Sequence, residues 1–180
     1  MRRLTQIFLA FSLVLSLSAC GYGSVPDTAK MGPAGSGTDA VIGEIKVQEV
    51  LVITDGTNAV LTGVIINSGT EVETLLSASV DNQLVDFVNT DSVIFGNTDS
   101  VVLIALDNIE IAPGAAVSLS FTAPLGALLN NSASALPVAG SIVKVQFTFA
   151  INGFVKVEAL AFANEGMYST VYPSAFSNLN

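Results

Sequence analysis

The chain contains no histidine and a single cysteine, Cys20, and only six of its residues are lysine or arginine against 15 aspartates and glutamates. Without histidine or a second thiol, Ser-His and Cys-His nucleophiles and histidine-held zinc-water chemistry are excluded. An enzyme built from what is left would need a carboxylate pair or a serine-lysine arrangement. Neither is well represented. Glu71 and Glu73 stand two residues apart on what reads as an outward strand face; Lys144 and Lys156 sit on a hairpin where they are expected to face water, and Ser141, three residues before Lys144, lies in the run leading into that hairpin. The sequence is therefore read as that of a protein that is not an enzyme, with no cofactor.

What is present begins at the amino terminus. Arg2 and Arg3 precede an apolar run from Ile7 to Leu17, broken only by Ser12 and Ser16. This run is short for a membrane span and has the layout of an export signal. It ends in Leu17-Ser18-Ala19-Cys20, which resembles the bacterial lipobox: small residues suit the signal peptidase, and the thiol accepts diacylglycerol. Residues 1–19 are thus expected to be removed and Cys20 lipidated, and two or three acyl chains suffice for stable anchoring without a transmembrane helix. Consuming Cys20 leaves no thiol for a disulfide, so the remaining chain must be held by its own core.

After that cleavage four lysines (Lys30, Lys46, Lys144, Lys156) stand against 15 acids, a formal charge of −11. The sum disfavours nucleic acid and anionic lipid as direct partners. The expected partners are the membrane, through the lipid on Cys20, and an envelope protein. The expected location is the outer face of the cell membrane.

Residues 20–40 are rich in Gly, Ser, Pro, Thr and Asp and carry little bulky apolar surface, which reads as a tether. From residue 41 to 163 β-branched residues dominate, and turn signals recur every ten or so residues, the pattern of an all-β antiparallel sandwich or barrel. A first strand is expected over Val41–Ile53 with a bulge near Gln48-Glu49, then a turn at Asp55-Gly56, a central strand over Ala59–Asn67, and a strand over Glu71–Val80. In that last strand Val72, Thr74, Leu76, Ala78 and Val80 would share one face. Later strands are expected at Val101–Leu106, Ile109–Ile111, Val117–Thr122, Ile142–Ala150 and Phe154–Phe162, with Asn152-Gly153 as the strongest hairpin signal. Residues 164–180 form a tail whose docking the sequence leaves open, with Tyr168, Tyr172 and Phe176 as the residues that could pin it to the domain.

Asn89-Thr90-Asp91-Ser92-Val93 returns as Asn97-Thr98-Asp99-Ser100-Val101. Hard oxygen ligands for calcium are available there, but the dense acidic spacing of a calcium loop is missing, and two turns flanking a short strand is the favoured reading. Phe87, Phe95 and the stretch Ala123–Leu129 are read either as an exposed binding patch or, preferentially, as residues that close the core.

Three segments carry a family likeness. Leu61-Thr62-Gly63-Val64-Ile65-Ile66-Asn67-Ser68-Gly69 with Leu75–Ser79, Ile109-Glu110-Ile111-Ala112-Pro113-Gly114, and Val145–Phe149 through Asn152-Gly153 to Val157 resemble framework segments of the PCu(A)C periplasmic copper chaperones, and more closely of actinobacterial LpqE-like lipoproteins. The resemblance implies a Greek-key sandwich, cupredoxin-like or immunoglobulin-like, and for its copper-binding members a Cu(I) site of paired histidines and methionines. Soft Cu(I) selects thioether, thiolate and imidazole. Here histidine is missing, and Met31 and Met167 lie far apart in the chain, so the metal role is carried to no residue. The expected function is a lipid-anchored binding or structural module, with an accessory role in metal handling as the alternative.

Overall fold

The computed structural model describes residues 37–95, 101–120, 124–129 and 136–169, with the side chains of 91–95 and 101–103 set aside. Eleven strands occur in chain order: β1 (Thr38–Ile42), β2 (Ile45–Thr54), β3 (Ala59–Asn67), β4 (Glu73–Val80), β5 (Gln83–Phe95), β6 (Val101–Leu106), β7 (Ile109–Ile111), β8 (Ala116–Leu119), β9 (Leu125–Leu129), β10 (Ile142–Phe149) and β11 (Gly153–Ala163). The fold is all-β, as the sequence pattern predicts. A 3-10 turn, Gly166–Tyr168, follows the last strand.

Eight strands run in the order β5-β9-β8-β3-β2-β11-β10-β4, and pairing of β4 with β5 closes them into a barrel-like sheet. β6 and β7 attach to β5 and β4, and β1 to β2. Most ladders are antiparallel, but β11 joins β2 in parallel through Leu160–Ala163 and Leu51–Thr54, and β8 meets β9 in parallel. Period-two alternation produces this shape directly. Val143, Val145, Phe147 and Phe149 of β10 point inward while Ile142, Lys144, Gln146 and Thr148 point out. Ile45, Val47, Val50, Leu61, Ile65, Leu75, Leu119 and Phe147 fill the centre of one continuous core.

The turns follow residue chemistry. Asp55 accepts hydrogen bonds from the backbone N–H groups of Thr57 (2.8 Å) and Asn58 (2.7 Å), and Gly56 supplies the positive φ that this turn requires. Between β10 and β11, Phe149 pairs with Gly153, so the loop is the three residues Ala150, Ile151 and Asn152, with Gly153 in the left-handed region.

Several strand expectations are corrected. The segment 41–53 is two strands, because Gly43, with φ of +55°, turns β1 back onto β2. The bulge expected near Gln48-Glu49 is present, and Glu49 takes a φ of 54° while its N–H donates to Asp39 Oδ1 at 2.8 Å. Asp81 and Asn82, both with positive φ, make an unforeseen two-residue turn into β5, a strand the sequence reading omits along with β9. The first copy of the Asn-Thr-Asp-Ser-Val repeat lies within β5 and is no turn. Residues 97–100 of the second copy lie outside the described residues.

Candidate functional site

The most consequential correction concerns β4. A register shift opposite Thr148 and Phe149 breaks its alternation, so Glu73 and Leu75 point inward with Ala78 and Val80, while Val72 and Leu76 are exposed. Glu73, expected on the solvent face beside Glu71, is only 2% exposed. Glu71 remains outside.

Glu73 is held at one end of the barrel by donors from a distant hairpin. Its Oε1 accepts hydrogen bonds from the backbone N–H of Thr74 (2.8 Å) and of Ile151 (3.0 Å), and its Oε2 accepts from the N–H of Asn152 (3.0 Å) and from Asn152 Nδ2 (2.8 Å). Desolvation by burial pushes the pKa of this carboxyl group up, but the Asn152 side-chain bond and the three backbone N–H bonds outweigh it and hold the pKa below the ordinary glutamate value. The group is an anion at neutral pH with two donors on each oxygen. It offers neither a proton to transfer nor a bare lone pair to a metal.

Two further turns meet at this point. A β-carbon on Gly43 would run into the amide oxygen of Asn152, so only glycine lets the β1–β2 turn approach the β10–β11 turn this closely. The loop after β3 is fixed by Asn67, also buried: its Nδ2 donates to the carbonyls of Glu71 (2.7 Å) and Ile111 (3.0 Å), and its Oδ1 accepts from the N–H of Gly69 (2.9 Å). The backbone of Asn67 also exchanges bonds with Gly114 and Ala115, tying in the turn before β8. Glu44, Glu71 and Glu73 border a recess of about 220 Å³ here, and the buried polar groups lining it are consumed by loop geometry.

A larger cleft of about 630 Å³ lies between the Thr54–Gly56 turn, Leu136–Ala139 and Ala163–Glu165. Asp55 at its rim is another turn staple. Burial raises its pKa, and the hydrogen bonds from Asn58 and Thr57 overcome that and lower it. No nucleophile with an adjacent base lines either cavity.

The remaining residues singled out by sequence fall as follows. Phe87, Ala127 and Leu129 are buried, so the core reading of that stretch holds where it is described, and Phe95 and Ala123 carry no described side chain. Tyr168 docks on the domain, its ring centroid 5.0 Å from that of Phe162. Met167 is 81% exposed beyond the last strand. Cys20, Met31, Tyr172 and Phe176 lie outside the described residues. Among the described residues no group of three or more His, Cys, Asp or Glu is arranged to hold a metal ion, and no helix is long and apolar enough to cross a membrane.

No protein-family model and no curated protein matches the chain. Solved structures do. The copper-bound PCuAC domain from PmoF2 superimposes with a TM-score of 0.55 at 19% identity, covering 70% of this chain and 98% of that one. The apo PmoF2 PCuAC domain gives 0.56 at 17% identity, covering 73% and 99%. The fold is that of the PCuAC domains. The likeness extends over nearly the whole of each PCuAC domain, so the shared feature is the complete barrel and not one hairpin. At this identity it speaks for the backbone path alone, and the side chains of this chain must be judged by themselves.

Proposed function

We propose that this chain is a lipoprotein anchored through Cys20 to the outer face of a cell membrane, of the LpqE-like kind, and that its PCuAC-like domain, a Greek-key sandwich in topology, is a non-catalytic binding or structural module without a copper site. The observation that carries the module reading is the saturation of Glu73: the one deeply buried carboxylate among the described residues is committed to holding three loops together. The anchor rests on Leu17-Ser18-Ala19-Cys20 at the end of its apolar run. Residues 1–19 are then removed, 20–37 tether the domain, which begins with β1 at Thr38 and runs to 163, and 164–180 are its tail.

Copper is the metal that the fold likeness brings to mind, and the donor set does not fit it. There is no imidazole in the chain, and the one methionine among the described residues stands exposed outside the strands. A second reading, an accessory role in copper or other metal handling, is favoured by a specific finding, the copper-bound PCuAC domain among the structural neighbours.

A competition titration of Cu(I), with zinc and calcium alongside, separates the two readings when made on the chain from Gly21 onward, so that Cys20 contributes nothing. The expected result is no saturable copper site. A one-to-one complex at submicromolar affinity would replace the module with a metal carrier. For the anchor, Cys20→Ser is expected to move the protein from the membrane fraction to the soluble one and to abolish labelling by radioactive palmitate; retention of either would refute lipidation at that residue.

A further inference from the structure

The domain from Thr38 onward has three lysines, Lys46, Lys144 and Lys156, against 14 aspartates and glutamates, and contains no arginine or histidine. Two such domains repel each other through their net charge. They can set opposite charges together only through a face that carries lysine, and the three lysines lie on the neighbouring strands β2, β11 and β10. A closed two-fold contact between copies also requires a patch that is complementary to itself.

The outward face of the β10–β11 hairpin meets that requirement through its register. Lys144 pairs with Glu158, Gln146 with Lys156 and Thr148 with Phe154, all on the outer side of the barrel. A two-fold axis running along the strands, above the seam between β10 and β11, keeps every residue at its height and exchanges the two strands. Each residue then comes to lie over the one it pairs with in its own ladder. Lys144 lies over the partner's Glu158 and Glu158 over the partner's Lys144, Gln146 faces the partner's Lys156, and Thr148 faces the partner's Phe154. No like charges meet along the seam, and the usual rotation of about 30° between packed sheets leaves the pairs near its middle opposed.

Within one chain these groups are unspent. Lys144 and Glu158 sit opposite each other in the ladder, yet among the described residues neither forms an ion pair. Phe154 and Ile142, at the two ends of the strip, are each more than half exposed, and Lys156 Nζ stands 5.6 Å from the centroid of the Phe154 ring. The same rotation lays Ile142 over the partner's Leu160. Covering these apolar ends excludes water from the charges between them, and opposite charges attract more strongly as the water leaves. The sheet closes on itself, so the flanking strands β1 and β4 curve away from the seam. The acids there are engaged as caps: Asp39 accepts from the Glu49 N–H at 2.8 Å and Asp81 from the Lys144 N–H at 2.9 Å.

We propose that the outward strip of β10 and β11 is the contact between two copies of this chain, arranged about that two-fold axis. The proposal names a partner for the binding-module reading and rests on it. Two strands offer less than the roughly 800 Å² per partner of a standard interface. The contact is therefore a weak and reversible one, favoured where copies are concentrated on one surface.

The test uses two full chains with tags of different size, produced together in one bacterial cell, one carrying Gln146→Cys and the other Lys156→Cys, and a short bis-maleimide. A crosslinked pair is expected at a yield about tenfold above that of copies carrying Ser118→Cys on β8, at the far side of the ring. Copies without a new thiol report whatever Cys20 contributes. With the probes kept, Lys144→Glu in both copies, or Glu158→Lys in both, sets like charges together twice per dimer and should bring the yield down to that of the Ser118→Cys pair. Lys144→Glu in one copy with Glu158→Lys in the other puts opposite charges back at both places and should restore the crosslink, which a misfolded variant would not do. Equal yields at the two sites, a crosslink that survives Lys144→Glu in both copies, or no recovery in the mixed pair would overturn the proposal. That failure would remove this partner only, whereas the module reading itself falls to the copper titration.

Discussion

Replacing Glu73 by glutamine preserves shape and removes the charge, and the structure sets the size of the loss. The four bonds are divided two and two between the carboxylate oxygens. In glutamine one oxygen becomes an NH2 group, so either Thr74 and Ile151 or both donors of Asn152 confront a donor instead of an acceptor. Bonds to a charged group contribute about 1.5–3 kcal/mol each, and a buried donor left unpaired costs about 1–3 kcal/mol. Loss of two bonds should destabilise the domain by about 3 kcal/mol or more, a fall in Tm of roughly 6–12 °C for a domain of this size. The pH dependence adds a sign. Because the folded pKa of Glu73 lies below its ordinary value near 4.5, its contribution is fully present above that value and is lost as pH falls through the folded pKa. Thermal melts from pH 7 down to pH 3 should show the wild type and Glu73→Gln widely separated at neutral pH and converging in acid. A variant within about 1 kcal/mol of wild type at pH 7, a small effect for any buried polar substitution, would refute the clamp.

Three further outcomes follow from the hydrogen-bonded turns at the two ends of the barrel. Asn67→Ala removes two donated bonds and one accepted bond from a buried site and should cost about 2–4 kcal/mol, with amide exchange accelerated first at Gly69 and Gly114, which equilibrium exchange measurements report directly. Gly43→Ala meets both an unfavourable positive φ and the amide of Asn152, and should destabilise by roughly 1–3 kcal/mol. Combined with Asn152→Ala the loss should be less than additive by about 0.5 kcal/mol or more, since the obstacle is then gone; strict additivity in denaturant melts would mean the two turns are independent. Asp55→Ala should weaken the β2–β3 turn by about 1 kcal/mol with an effect that likewise fades in acid, because the pKa of Asp55 is lowered too.

How far the sequence reached depends on whether the cause was local. Asn152-Gly153, Asp55-Gly56 and Ala59–Asn67 were legible because turn propensity and alternation within ten residues determine them. Gly43 hid the first hairpin: with one glycine and no Asn or Asp before it, the segment reads as one long strand. Asp81-Asn82 was readable in principle, since both residue types tolerate positive φ, and would have revealed β5. The inward rotation of Glu73 had no such signal. It depends on a register shift against β10 and on N–H groups 78 and 79 residues away, and a glutamate beside an exposed glutamate looks solvated until those donors are in place. The parallel seam of β2 with β11 that helps close the barrel is likewise a long-range fact.

The fold likeness and the side chains pull the functional reading in different directions, and the conflict resolves on what each can transmit. A backbone path shared at below 20% identity fixes where strands and loops run and leaves ligands to the residues that occupy them. Inside this barrel the polar residues are few, and the two that are deepest, Asn67 and Glu73, spend their hydrogen-bonding capacity on loops drawn from far along the chain. A saturated carboxylate is stable because it is unavailable.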